Sequence, residues 1–117
     1  MKYFNYFEFD SPDVQGSGQL MDKEVLDLVD QVRELYGKPI VITSGYRTEA
    51  HNAEVNGKKN SSHLKGLAID VACTTSADRY RLIELFMLVG FNRIGIADTF
   101  IHVDLDKDKV QDVIWTY

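Results

Sequence analysis

Cysteine is nearly absent from this 117-residue chain, in which Cys73 is the only one. A single cysteine excludes an internal disulfide and every cysteine-rich zinc motif, so a metal ion bound here would be held by histidine and carboxylate side chains. The chain also lacks internal repeats and low-complexity tracts. We therefore expect one domain over residues 1–117, with Cys73 as a small buried residue.

Long apolar runs and a positive net charge are missing as well. In residues 1–10 aromatic and polar residues alternate, which is typical neither of a signal peptide nor of a membrane span. The formal net charge of -5 disfavours nucleic acid and anionic membrane surfaces as partners. We therefore expect a monomer that is made in the cytoplasm without an export signal and that has no nucleic-acid or membrane partner.

Apolar spacing and capping residues predict both helices and strands. Three segments are predicted as helices: Asp22–Tyr36, Thr48–Val55, and a helix capped by residues 74–78 and ending at Val89. Four apolar runs are predicted as strands: 39–43, 67–71, 93–97 and 99–104. This pattern indicates an α+β fold in which a small, mainly antiparallel sheet carries helices on one face and a cleft on the other. Trp115, in the tail, is expected to pack on the outside of the core.

Two candidate metal ligands, His63 and Asp70, are joined by a glycine hinge at Gly66 and a short apolar strand. Imidazole and carboxylate both suit a divalent zinc ion, and three protein ligands with one open position are typical of catalytic zinc. His102 is the only other histidine in a strand-like context, which makes it the candidate for the third ligand, and strand alternation would place it on the same face as Asp104. Taken singly, Asp70 can also be a strand-end cap and His63 a loop histidine bonded to the backbone.

Three motifs carry a family resemblance through their order and spacing: Ser44-Gly45-Tyr46-Arg47, Ser61-x-His63-(x)6-Asp70 and His102-Val103-Asp104. Together they resemble the zinc D-alanyl-D-alanine peptidases, which include D,D-carboxypeptidases, D,D-dipeptidases and several phage endolysins, with the hedgehog signalling domain as a structural relative. The resemblance implies this hedgehog/D,D-peptidase-like fold and Zn2+ as the cofactor. It also implies that His63, Asp70 and His102 are the zinc ligands and that Arg47 binds or polarises the substrate.

The general base is less clearly marked. Relatives commonly carry an acidic residue three positions before the last zinc histidine, and here that position is Thr99. By strand alternation Asp98 and Asp104 share the face of His102. We favour Asp98 as the base because it lies at a turn, while Asp104 is either the base or a carboxylate that orients His102.

The resemblance implies a zinc metallopeptidase that hydrolyses peptide bonds of bacterial peptidoglycan, as a D,D-carboxypeptidase or an endolysin-type endopeptidase. Its partner would be the stem peptide, which Ser61 or Ser62 could hydrogen-bond. A protein that acts on the cell wall but carries no recognisable export signal suggests a phage or prophage lysis enzyme that is released through a separate pore. The alternative is a zinc-containing module that binds peptide or cell wall without cutting it, and Thr99 is its best support. A metal-free structural domain ranks last, because the two histidines and the aspartate would then share this spacing by chance.

Overall fold

The computed structural model describes residues 1–117, which form three α-helices and five strands together with short 3-10 helices. The α-helices are α1 (Lys23–Tyr36), α2 (Glu49–Glu54) and α3 (Ser76–Val89). The strands are β1 (Ile42–Ser44), β2 (Ala68–Ala72), β3 (Arg93–Ile96), β4 (Phe100–Asp104) and β5 (Val113–Thr116). The 3-10 helices are Tyr6–Phe9, Ser17–Leu20 and Ser62–Lys65. None of the helices combines the length and the apolar composition that crossing a membrane requires.

All five strands belong to one sheet with the order β1-β2-β4-β3-β5. Three of the four strand pairs are antiparallel, and only β3 and β5 run parallel. In the central pair, Asp70 of β2 lies opposite His102 of β4, and Ile69 lies opposite Val103. The predicted α+β fold with a mainly antiparallel sheet is therefore confirmed.

Helices α1 and α3 pack on one face of the sheet and form the hydrophobic core with it. The core cluster includes Val25 and Val29 of α1, Phe86 of α3, and Ile69 and Ile101 of the central strands. Because side chains alternate along a strand, the residues between these apolar positions point away from the helices. The opposite face is thereby left free for polar side chains.

Local capping sets the ends of α1 as the sequence predicts. The Asp22 side chain accepts hydrogen bonds from the backbone nitrogens of Glu24 and Val25, which otherwise lack partners in the first turn. Gly37 follows the helix with a φ of 76°. Only glycine adopts this left-handed conformation at little cost, so the helix ends there.

The segment after Asp104 forms a fifth strand that the sequence analysis does not predict. Residues Val113–Thr116 form β5 beside β3, and Trp115 lies on the face of the sheet that is opposite the core. Gly95 pairs with Trp115, and a Cβ atom at Gly95 would lie 2.6 Å from the indole Nε1. The missing side chain at Gly95 thus provides the space in which the indole ring lies, and Trp115 packs outside the core, on the opposite face of the sheet.

Candidate metal centre

Three potential metal ligands converge on the face opposite the core. One ligand atom from each of His63, Asp70 and His102 lies within 4.8 Å of the others, and all three side chains are buried. The antiparallel register of β2 and β4 brings Asp70 next to His102. His63 comes from the 3-10 helix Ser62–Lys65, which precedes β2 and ends at Gly66.

A backbone hydrogen bond selects the nitrogen that His63 can offer to a metal. Its Nδ1 lies 2.8 Å from the carbonyl oxygen of Gly45. A carbonyl oxygen only accepts hydrogen bonds, so Nδ1 carries the proton and donates it. The other nitrogen, Nε2, is left with a free lone pair and lies 3.3 Å from Oδ1 of Asp70.

His102 presents the opposite nitrogen. Its Nε2 lies 2.7 Å from Oδ2 of Asp104, and its Nδ1 lies 2.9 Å from Oδ1 of Asp70. A carboxylate behind a ligating imidazole fixes the ring orientation and the tautomer. Asp104 therefore holds the Nε2 proton and directs Nδ1 towards Asp70.

Burial and hydrogen bonding act in opposite directions on the two charged partners. Burial favours neutral His102, but the hydrogen bonds with Asp104 and Asp70 outweigh burial and raise its pKa. Burial likewise disfavours ionised Asp70, but the hydrogen bond with His102 and the adjacent imidazole of His63 outweigh burial and hold the pKa of this carboxyl well below its usual range. The carboxylate is therefore available as a ligand at neutral pH, and a metal would replace the proton shared with His102.

The donor set fits zinc. Two neutral imidazole nitrogens and one carboxylate oxygen form a typical three-ligand set of catalytic zinc. They are already close together, and each histidine has a partner for its other nitrogen. These residues can therefore hold a divalent cation without rearrangement of the sheet.

Arg47 lies beside this cluster with its side chain 15% exposed. Its Nε donates to Oγ of Ser44 at 2.9 Å, one terminal nitrogen donates to Asn52 at 3.3 Å, and the other donates to Oδ2 of Asp70 at 3.3 Å. A guanidinium group has five N–H donors, so two remain for a ligand. The ion pair with Asp70 and a role in substrate binding are thus compatible.

Six of the seven residues predicted for the site line one cavity of about 570 Å³: Arg47, Ser61, Ser62, His63, Asp70 and His102. The two serines already have structural roles there. Ser61 caps the 3-10 helix by accepting from the His63 backbone nitrogen. Ser62 is buried and donates to Asp106 at 2.7 Å.

Asp98, the seventh predicted residue, is not brought to this cavity. It is exposed in the turn between β3 and β4, where its carbonyl accepts from Arg79 at 3.4 Å. Strand alternation governs side-chain direction only within the strand, and β4 begins two residues later, at Phe100.

Asp104, by contrast, lies in the cavity wall and is 1% exposed. Its Oδ1 accepts from Nε of Arg93 at 2.8 Å and from the Asp106 backbone nitrogen at 3.0 Å, while Oδ2 bonds His102. Burial alone would raise the pKa of Asp104, but the hydrogen bond with His102 outweighs it and the pKa is lowered. The carboxylate is therefore ionised and suited to orient His102.

Several cavity residues were missed by sequence reasoning: Arg93, Phe100, Lys109, Trp115 and Tyr117. None belongs to the three motifs. The available signal was the spacing of Trp115 and Tyr117, which places both on one face of a short strand.

A mixed sheet with buried histidine and carboxylate donors beside an arginine is an arrangement suited to a metal-dependent hydrolase. A model of the peptidase M15 family matches residues 2–104. The chain therefore belongs to this family, the zinc D-Ala-D-Ala peptidases. No curated protein matches the chain.

Proposed function

We propose that the protein is a zinc-dependent peptidase that cleaves peptide bonds in the stem peptides of bacterial peptidoglycan, as a D,D-carboxypeptidase or an endolysin-type endopeptidase. The carrying observation is the convergence of His63, Asp70 and His102 in a member of the peptidase M15 family. The positively charged Arg47 in the same cavity supports a substrate that has a carboxylate or develops an oxyanion.

Zinc would be held by Nε2 of His63, a carboxylate oxygen of Asp70 and Nδ1 of His102. When bound, it supplies a Lewis acid that polarises the scissile carbonyl and lowers the pKa of water. Side chains of the protein would stabilise the developing charge and orient the metal ligands. Arg47 donates its two remaining N–H groups to the oxygen that becomes negative, and Asp104 fixes the ring of His102.

The proton of the attacking water needs an acceptor. Asp98 is the base predicted from the sequence, but it lies outside the cavity. Asp104 lies in the cavity wall, yet its oxygens already accept from Arg93, from the Asp106 backbone and from His102. The position of Asp104 in the cavity wall favours it over Asp98 as the carboxylate that affects the reaction. It would act indirectly, by orienting the ring of His102.

A second candidate function is a zinc-containing module that binds peptide or cell wall without cutting it. Thr99 stands where relatives carry an acid, and Asp98 is remote from the cavity, which favours this alternative. It predicts zinc uptake and sedimentation with peptidoglycan, but no release of peptide fragments.

The test measures how purified wild-type protein acts on purified peptidoglycan and compares it with variants of the three histidines of the chain. We expect about one zinc per chain, release of new amino and carboxyl groups from peptidoglycan, and loss of activity with a chelator that zinc restores. His63→Ala and His102→Ala should abolish zinc uptake. His51→Ala is the matched control, because His51 lies on α2 outside the donor cluster. A full zinc complement in either ligand variant contradicts the proposed site.

The proposed setting is phage or prophage lysis, in which the protein reaches the wall through a separate pore. Tracking the untagged protein during growth tests it. Accumulation at the wall of intact, growing cells contradicts this setting but leaves the proposed chemistry unaffected.

A further inference from the structure

One side of the metal cavity is aromatic, although most of the cavity lining is polar. Three hydrophobic residues are among the 16 that line it, and they are Phe100, Trp115 and Tyr117. Phe100 begins β4, Trp115 lies on β5 and Tyr117 follows β5, with β3 between the two strands. We call these three residues the aromatic wall.

The sheet register places Trp115 directly beside the metal centre. His102 of β4 pairs with Gly95 of β3, and Gly95 pairs with Trp115 of β5. The indole ring lies over Gly95 and its centroid is 5.5 Å from that of the His102 ring. The guanidinium of Arg93 stacks on the indole with its carbon 5.0 Å from the ring centroid. Trp115 is therefore held in place next to a ligand histidine.

Tyr117 and Phe100 extend this surface. Their ring centroids are 5.2 Å apart with an interplanar angle of 54°. Phe100 is half-buried, whereas Tyr117 is 70% exposed. An exposed aromatic ring at the mouth of a cavity gains most when an apolar group of a ligand covers it.

The charges around the cavity indicate what kind of group the aromatic wall accepts. Six charged side chains line the cavity, four basic and two acidic: Arg47, Lys58, Arg93, Lys109, Asp70 and Asp104. Asp70 already pairs with Arg47, and Asp104 already pairs with Arg93. A cationic side chain of a substrate would find no free carboxylate there and would meet a net positive lining, to which a bound metal adds further charge.

We propose that the aromatic wall binds an uncharged apolar side chain of the substrate residue next to the scissile bond, and thereby selects apolar over basic residues. This inference rests on the proposed peptidase function. The family match covers residues 2–104 and does not extend to Trp115 and Tyr117. They are specificity-determining residues contributed by a segment beyond the matched one.

The test uses the zinc-loaded protein and two sets of acetylated dipeptides. The parent is N-acetyl-D-alanyl-D-alanine; one set carries D-leucine or D-lysine at the last position and the other carries them at the first. Trp115 is the only tryptophan, so its fluorescence reports binding at the aromatic wall without any hydrolysis. The second readout is kcat/KM with separate kcat and KM values.

In one of the sets we expect the leucine peptide to be preferred over the lysine peptide by about tenfold or more in both readouts. Tyr117→Ala should raise KM for the leucine peptide about tenfold with little change in kcat, because the ring contributes equally to ground-state and transition-state binding. Tyr117→Phe keeps the ring and should stay within about twofold of the wild type. Tyr80→Ala is the matched control, since Tyr80 is 73% exposed on α3 outside the cavity.

A preference for lysine in both sets, or an unchanged leucine preference in Tyr117→Ala, overturns the inference. Tyr117 is exposed, so its variants are not expected to unfold the chain, and circular dichroism confirms this. If peptidoglycan and all the peptides stay uncut but fluorescence still ranks leucine above lysine, the proposed function fails and the aromatic wall stands. If peptidoglycan and all the peptides stay uncut and no peptide changes the fluorescence, both are overturned.

Discussion

At the scale of single residues, the two histidines of the metal centre present different nitrogens to the same carboxylate. His63 uses Nδ1 to bond the Gly45 carbonyl, and His102 uses Nε2 to bond Asp104. Each ring is thereby fixed by a partner that would not touch the metal itself. The two partners differ in kind, because one is backbone and cannot be mutated away, while the other is a side chain that can.

Asp104→Asn should lower zinc affinity by roughly ten- to a hundredfold, because the substitution weakens the partner of His102. Asp98→Asn is the matched control, and it should leave zinc affinity unchanged and reduce turnover less than Asp104→Asn does. Competition with a chromogenic chelator gives the affinities, and steady-state hydrolysis gives turnover. A loss of two to four orders of magnitude in Asp98→Asn alone would instead make Asp98 the general base, reached by movement of the turn.

Arg47→Lys should keep the bound zinc but slow hydrolysis by on the order of a hundredfold, the usual cost of losing an oxyanion donor. A lysine ammonium can still pair with Asp70, but it cannot also reach Ser44 and Asn52 and present two donors to the substrate. Metal content and kcat are the measurements. Arg81→Lys on α3 makes the same change where the arginine bonds only Glu84, and it should behave like the wild type.

At the scale of elements, Asp106 connects the segment after β4 to the 3-10 helix that carries His63. Its carboxylate accepts from Ser62 at 2.7 Å and from Lys65 at 3.1 Å. Burial would raise the pKa of Asp106, but the hydrogen bonds from Ser62 and Lys65 outweigh it and lower the pKa. The two elements that bear the candidate metal ligands His63 and His102 are thus tied together by one ionised side chain.

Asp106→Asn should destabilise the metal-free protein by about 2 kcal/mol at pH 7, since a buried charged acceptor is lost. The folded-state pKa lies below the unfolded value of about 3.9, so this stability is present above that pH and disappears as the pH falls through the folded pKa. Urea unfolding at pH 7 and at pH 3 should show the difference between variant and wild type shrinking on acidification. Asp108→Asn is the control, because Asp108 is 86% exposed and its contact with Lys65 should contribute little. Equal destabilisation at both pH values would contradict the ionic role of Asp106.

The elements differ in how much of their structure could be predicted from the sequence. The ends of α1 and α3 follow from local chemistry, in which Asp22 caps one helix and Gly37 and Gly90 end the two. β5 could not be predicted, because its place in the sheet depends on pairing with β3, about 20 residues earlier. The position of the Asp98 side chain could not be predicted either, because Asp98 lies in a turn, where strand alternation does not determine which way a side chain points.

At the scale of the whole molecule, the sheet separates two chemistries. The helices bury Ile69 and Ile101 on one face of the sheet. Asp70 and His102, the next residues along the same two strands, point to the other face. This two-sided arrangement could be predicted because alternation along β2 and β4 assigns every residue to a face. The tautomers, the ion pairs and the aromatic wall could not, because they depend on contacts between residues far apart in the chain.

The edge position of β5 has a consequence for how such a protein can change over generations. The metal donors lie on β2, on β4 and on the 3-10 helix Ser62–Lys65, whereas Trp115 lies on β5, which pairs only with β3. Tyr117 follows this edge strand and packs against Phe100, which is not a metal donor, and substitutions at sites without shared partners act nearly independently. A lineage can therefore change its peptide preference by substitutions at the end of the edge strand, while the inherited metal centre stays intact.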